Sequence, residues 1–180
     1  MNDGLIPRRY AKALYKYAKE NGDADVIYEQ LKVLNFSYSG INNLKKVMLN
    51  PHVPDSDKSN MVLAAVGAKP GSSLDRFILL VLKNNRAEFL RRIALSYVRL
   101  YREEHNIAKV EIVMASQLPA DEIKAITDIV ERQLKGMTLE ISERIDPEII
   151  GGFVVIIDSL VLDASVKNEL QHLRLKLQRK

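Results

Sequence analysis

Hydrophobic spacing changes once along this 180-residue chain, near residues 104–107, and that change restricts the fold more than any single motif. Before it, apolar side chains recur every three or four residues, as on one face of a helix. After it, stretches of strict alternation appear, as on a half-buried strand. A helical part followed by a mixed part predicts two domains, residues 1–105 and 106–180. The hydrophobic share of 47% suffices for a packed core in each.

Six helices are expected in the first part. Leu5, Ile6, Tyr10, Ala13, Leu14, Tyr17 and Ala18 share helical spacing, with Pro7 in the first turn and Asn21-Gly22 as the stop. A second helix starts near Asp25, packs through Val26, Ile27, Leu31, Leu34 and Tyr38, and closes at Gly40. A short third one carries Ile41, Leu44, Val47 and Met48 and stops at Asn50-Pro51. Asp55 or Ser56 is placed to cap the fourth, which ends at Gly67. Ser72 or Ser73 caps the fifth, where Leu74, Phe77, Ile78, Val81 and Leu82 make a stripe that Leu79 and Leu80 widen. A helix apolar on so many sides is expected to be buried on most of them, either as the centre of the bundle or as a core helix that also meets a partner. The sixth runs from about Arg86 to Glu104.

The second part reads β-α-β-β-β-α. Ala108–Met114 and Met137–Ile145 alternate, the latter with Leu139, Ile141 and Ile145 on one side. Between them a helix follows Pro119, with Asp121-Glu122 in its first turn and Ile123, Ile126, Ile129, Val130 and Leu134 as its inner face. Phe153–Ile157 and Leu160–Leu162 form two short strands joined at Asp158-Ser159, and Ser165 caps a last helix whose Val166, Leu170, Leu173 and Leu177 are spaced four, three and four. The fold class is therefore mostly α with a small α/β part.

No catalytic, cofactor-binding or metal site emerges. Gly151-Gly152 precedes a strand and lacks the Lys-Ser/Thr of a phosphate loop, so the pair marks close backbone approach or a bend. His52, His105 and His172 sit in separate segments without metal-ligand spacing. Asp146, Asp158 and Asp163 fit turn and cap positions, and Ser165 lacks a nucleophile elbow. With no cysteine, disulfides and thiolate chemistry are excluded.

Charge is uneven. Residues 1–105 hold 17 Lys and Arg against 11 Asp and Glu, whereas residues 106–180 hold 10 against 12. The basic residues come in pairs such as Arg8-Arg9, Lys45-Lys46 and Arg91-Arg92, as on solvated helix faces. A basic helical module for structured RNA is the alternative reading, but the tyrosines fall on apolar stripes rather than forming a stacking face. No apolar run approaches the ~20 residues of a membrane span, and no signal or transit pattern precedes the first helix. Tyr10, Ala13, Leu14 and Tyr17 suggest an interaction groove, because a small residue between larger ones admits a partner helix; periodicity alone favours reading the same stripe as internal core.

Several segments together resemble one family. Arg9-Tyr10-Ala11-Lys12-Ala13-Leu14-Tyr15, Asn50-Pro51-His52-Val53 and Leu82-Lys83-Asn84-Asn85-Arg86 occur in order, followed by Leu90 and Tyr97. Asp146-Pro147-Glu148-Ile149-Ile150-Gly151-Gly152-Phe153 and Asp163-Ala164-Ser165-Val166 complete the set. This series is similar to the ATP synthase delta subunit family, whose mitochondrial relative is the oligomycin-sensitivity-conferring protein. The resemblance implies an N-terminal six-helix bundle that binds the N-terminal segments of the alpha subunits. It implies a C-terminal α/β domain that binds the C-terminal helices of the b subunits; no short motif fixes that contact, and the last helix and the sheet around Gly152 are the surfaces expected to make it. It implies a stator without catalysis, cofactor or nucleic acid, at the cytoplasmic face of a bacterial inner membrane and touching that membrane only through the complex. Carried over by position, the alpha-binding residues are Tyr10, Ala13, Leu14 and Tyr17 on the first helix and Phe77, Ile78 and Val81 on the fifth.

Overall fold

The computed structural model describes residues 4–40, 42–158 and 160–178; Ile41 and Ser159, assigned above to a helix start and a turn, lie outside them. The described chain is mostly helical, with one small mixed four-stranded sheet. It divides into two compact units between Glu104 and His105.

In the first unit the helices are α1 (Leu5–Asn21), α2 (Ala24–Gly40), α3 (Asn42–Leu49), α4 (Asp55–Val66), α5 (Ser73–Lys83) and α6 (Leu90–His105). Gly22 at φ 74° ends α1, its N–H returning to the Ala18 carbonyl. Two boundaries differ from the sequence reading. The residue flanking the start of α4 is Pro54, so Asp55 and Ser56 lie inside the helix and neither caps it. The sixth helix begins at Leu90, because Ala87–Phe89 forms a 3-10 turn.

A buried polar knot fixes the start of α5. Ser72 caps it, accepting from the Asp75 N–H. The Asp75 carboxylate accepts from Ser59 Oγ on α4 and from the Gly71 N–H, both at 2.8 Å. A buried carboxylate is tolerated only when bonded in this way. A tyrosine cluster fixes α6. Tyr97 Oη donates to the Ala24 carbonyl and Tyr101 Oη to Asp25, which ties α6 to the first turn of α2. Tyr28 stacks on Tyr101 at 4.1 Å between ring centroids, and Tyr15 meets both Tyr97 and Tyr101 edge-on. Burial pushes the Tyr97 and Tyr101 phenols well above their ordinary range, and the bond to Asp25 adds to the effect at Tyr101.

The second unit contains β1 (Ile107–Met114), α7 (Ala120–Gln133), β2 (Thr138–Ile145), β3 (Gly152–Ile157), β4 (Leu160–Ser165) and α8 (Val166–Gln178), with a 3-10 turn at Pro147–Ile149. The sheet order is β2-β1-β3-β4. β1 and β2 are parallel, which requires the crossover through α7, while the other pairs are antiparallel. Val110, Ile112, Met114 and Val155 pack with Ile126 and Val130 of α7 to form the core. Ile123 and Leu134 pack against that cluster, but Ile129 is 53% exposed and does not belong to the inner face assigned to it above. Its neighbour Val130 holds the inward position, and one residue turns a helix by about 100°.

The glycine pair has a steric role. Gly152 has φ 71°, and a Cβ there would lie 2.2 Å from the Ala164 carbonyl oxygen. Gly151 accepts the Val166 N–H at 3.0 Å, which draws the first turn of α8 onto the start of β3. Asp146 accepts from the Glu148 N–H, as turn-forming aspartates do. Asp163 is not in a turn: β4 runs past Leu162 to Ser165, Asp163 pairs with Val154 within it, and its carboxylate accepts from the Ser165 N–H. Ser165 Oγ caps α8 through the Asn168 N–H. The two hydrogen bonds from Ser165 hold the Asp163 carboxyl below its usual value.

Candidate partner-binding groove

A groove of about 560 Å³ runs between α1 and α5. The stripe Pro7, Ala11, Leu14, Tyr15 and Ala18 turns α1 into the unit, leaving Tyr10, Ala13 and Tyr17 along the edge of that stripe. Leu14, 1% exposed, is the floor, while Ala13 is exposed and leaves a gap between the two tyrosine rings. On the other side Phe77 and Leu80 line the groove. Phe77 meets the Tyr10 ring edge-on at 6.2 Å.

Three arginines, Arg9, Arg76 and Arg86, stand along this apolar floor. The last is delivered by the end of α5. Asn85 adopts a left-handed φ of 54°, so the Asn85 N–H bonds the Leu82 carbonyl and the Arg86 N–H bonds the Val81 carbonyl. That reversal brings Arg86 back over α1, where Nη1 donates to Tyr10 Oη at 2.8 Å and the guanidinium lies 5.2 Å from the ring centroid. Asn84 Nδ2 also donates to Tyr10 Oη, at 3.2 Å. At the other end Arg76 Nη1 approaches Tyr17 Oη at 3.4 Å.

Of the seven residues expected at a partner surface, five line this groove: Tyr10, Ala13, Leu14, Tyr17 and Phe77. Ile78 and Val81 do not. Both are 0% exposed and point into the unit, so they support α5 from behind and offer no contact surface. As expected, α5 is buried on most sides, through Leu74, Phe77, Ile78, Val81 and Leu82, while Leu79 and Leu80 are 40% and 51% exposed. Leu80 and the three arginines line the groove as well, beyond the seven residues expected there. Leu80 lies three positions beyond Phe77 and four beyond Arg76, so helical spacing already set the three side by side. Arg86 belongs to the Leu82-Lys83-Asn84-Asn85-Arg86 segment of the resemblance, but its place in the groove follows from the chain reversal at Asn85.

Elsewhere, among the described residues, no cluster of three or more His, Asp or Glu could hold a metal ion. No described helix is long and apolar enough to cross a membrane.

Comparison with known proteins adds a family to this geometry. The family model described as ATP synthase delta (OSCP) subunit matches residues 6–177. The ATP synthase subunit delta of Phocaeicola vulgatus is 37% identical over 172 residues, covering 95% of this chain and 92% of that protein. The protein of the same name from Parabacteroides distasonis is 35% identical over 174 residues, covering 97% and 96%. A chain in the cryo-EM structure of the Toxoplasma gondii mitochondrial ATP synthase hexamer superposes with a TM-score of 0.72 at 17% identity, covering 97% of this chain and 98% of its own. At that identity the likeness speaks for the fold alone.

Proposed function

This chain belongs to the ATP synthase delta (OSCP) subunit family, and from that premise we propose that it is a non-catalytic stator subunit of an F-type ATP synthase. In this reading the first unit, a six-helix bundle, grips the N-terminal segments of the alpha subunits. The second holds the C-terminal helices of the b subunits, so the catalytic headpiece resists the torque of the rotor. The protein then works at the cytoplasmic face of a bacterial inner membrane and reaches that membrane only through the complex.

The observation that carries this reading is the open apolar groove between α1 and α5, in a chain matched to the family over residues 6–177. Its shape suits the apolar face of a helix. A stator works by affinity and stiffness, and attachment through two separate surfaces multiplies the first without new contacts at either. The second unit offers a surface of the right chemistry, since Leu160, Val161 and Leu162 of β4 and Leu170, Leu173 and Leu177 of α8 are all more than half exposed.

Titration calorimetry with a synthetic peptide of the alpha subunit's N-terminal segment tests the groove. Wild-type protein is expected to bind it. Ala13→Trp, which fills an exposed gap and leaves the core alone, is expected to lower the affinity about 30-fold or more. Absence of binding by the wild type, or unchanged binding by the Ala13→Trp variant, refutes the groove.

A further inference from the structure

We infer that the helix seated in the α1–α5 groove carries carboxylates two helical turns apart along one flank of its apolar face. The groove reads them through two arginine–tyrosine pairs. The inference rests on the groove reading above and adds the chemistry of the partner.

The lining contains three guanidinium groups and no carboxylate. Each guanidinium has five N–H donors and no acceptor. Arg86 spends a donor on Tyr10 Oη and Arg76 one on Tyr17 Oη, so most of their donors remain for a ligand. Tyr10 points the same way. Its oxygen accepts from both Arg86 and Asn84, which occupies its two lone pairs and leaves its own proton to donate. A groove end that presents a phenol O–H beside guanidinium N–H groups is built for an acceptor with two oxygens. A carboxylate meets both the surplus of donors and the positive charge. Backbone carbonyls of a bound helix meet neither, being already bonded within the helix.

Spacing fixes the pattern. Tyr10 and Tyr17 are seven residues apart on one helix, which is about 10.5 Å along its axis. A helix laid along α1 repeats a given direction at the same seven-residue interval, so carboxylates at that interval reach Arg86 and Arg76 together. Leu14, Phe77 and Leu80 take its apolar stripe between them and exclude water, which strengthens the charged bonds at either end. A basic flank meets like charge at both ends and is rejected. Arg9 extends the positive rim on the α1 side.

The test uses the full chain and three synthetic amphipathic helical peptides with one apolar stripe. They differ only at two flank positions seven apart, occupied by Glu, Gln or Lys. Fluorescence anisotropy at low salt is expected to rank them Glu, Gln, Lys, with the Glu peptide about tenfold tighter than the Gln peptide. The gap is expected to narrow at about 0.5 M salt. The double variant Arg76→Glu, Arg86→Glu is expected to invert the ranking in favour of the Lys peptide. Equal binding of the Glu and Gln peptides by wild-type protein overturns the carboxylate reading and leaves the groove standing. Failure of all three peptides to bind overturns both. Since the first comparison varies only the peptide, a variant that folds badly cannot imitate either result.

Discussion

The helices of the first unit and the last helix of the second use the same side chains in opposite ways. In the first, the helical stripes close on one another: Leu14, Leu34, Ile78, Val81, Ala94 and Tyr97 are all at most 1% exposed. In the second, α8 buries none of its residues, and Leu170, Leu173 and Leu177 are 52%, 55% and 76% exposed. Both stripes have the spacing of a packed face. Periodicity therefore reports that a face needs a cover, and it does not report whether the same chain supplies one.

The largest test of that contrast is a charge placed where the first unit is closed. Val81→Asp sets an unpaired carboxylate at a position with no exposure. The expected loss is about 4–5 kcal/mol, because a charge buried without exposure loses its hydration. Urea unfolding followed by circular dichroism reads this directly. Peptide binding is lost together with the fold, so this variant reports on packing rather than on groove recognition. A loss under about 1 kcal/mol shows that the core yields, and the contrast between the units weakens.

Alkali provides the next test, because all seven tyrosines precede Glu104. Burial pushes the Tyr38 phenol up to about 12, partly offset by Arg91, and raises Tyr97 and Tyr101 further still. The folded chain thus holds these protons when the unfolded chain, titrating near 10, has released them. The stability this contributes is complete below pH 10 and is lost as pH rises through the folded values. For Tyr38 alone the loss by pH 12 is about 2–3 kcal/mol. Methyl NMR is expected to show Ile78 and Val81 losing their native shifts above pH 10 before Ile112 and Val155 do. Simultaneous loss in both units contradicts an origin in the tyrosines. Acid acts on the other unit: the contribution of Asp163 is present above about pH 4 and lost below it.

Much of this architecture was legible beforehand, and the exceptions have physical causes. The element order and the change from helix to strand near 104–107 followed from periodicity, which depends on local burial. Gly152 was readable as a place of close approach, although its partner, the Ala164 carbonyl, was not, because strand pairing is non-local. Tyr10, Ala13 and Tyr17 were readable as an aromatic pair around a small residue. The arginines that complete the groove were not, since Arg86 arrives there only through the left-handed turn at Asn85. Ile78 and Val81, both 0% exposed, carry the same apolar signal as Phe77, because apolar pattern does not separate the wall of a groove from its support.

The smallest expected effect on stability sharpens the comparison most. Leu173→Ser removes a side chain that α8 already leaves 55% exposed. Its stability cost is expected to stay within about 0.5 kcal/mol, against the several for Val81→Asp. Affinity for a peptide of the b subunit's C-terminal helix is expected to fall about tenfold, because a leucine buried at an interface contributes roughly 1.5–3 kcal/mol. Thermal unfolding and calorimetry on the same sample separate the two quantities. If the variant is instead destabilised by more than about 2 kcal/mol, its own chain covers α8 in solution, and the two units do not differ in the way described. If stability and affinity are both unchanged, the proposed stalk contact does not run through α8, and the exposed strand β4 becomes the surface to test.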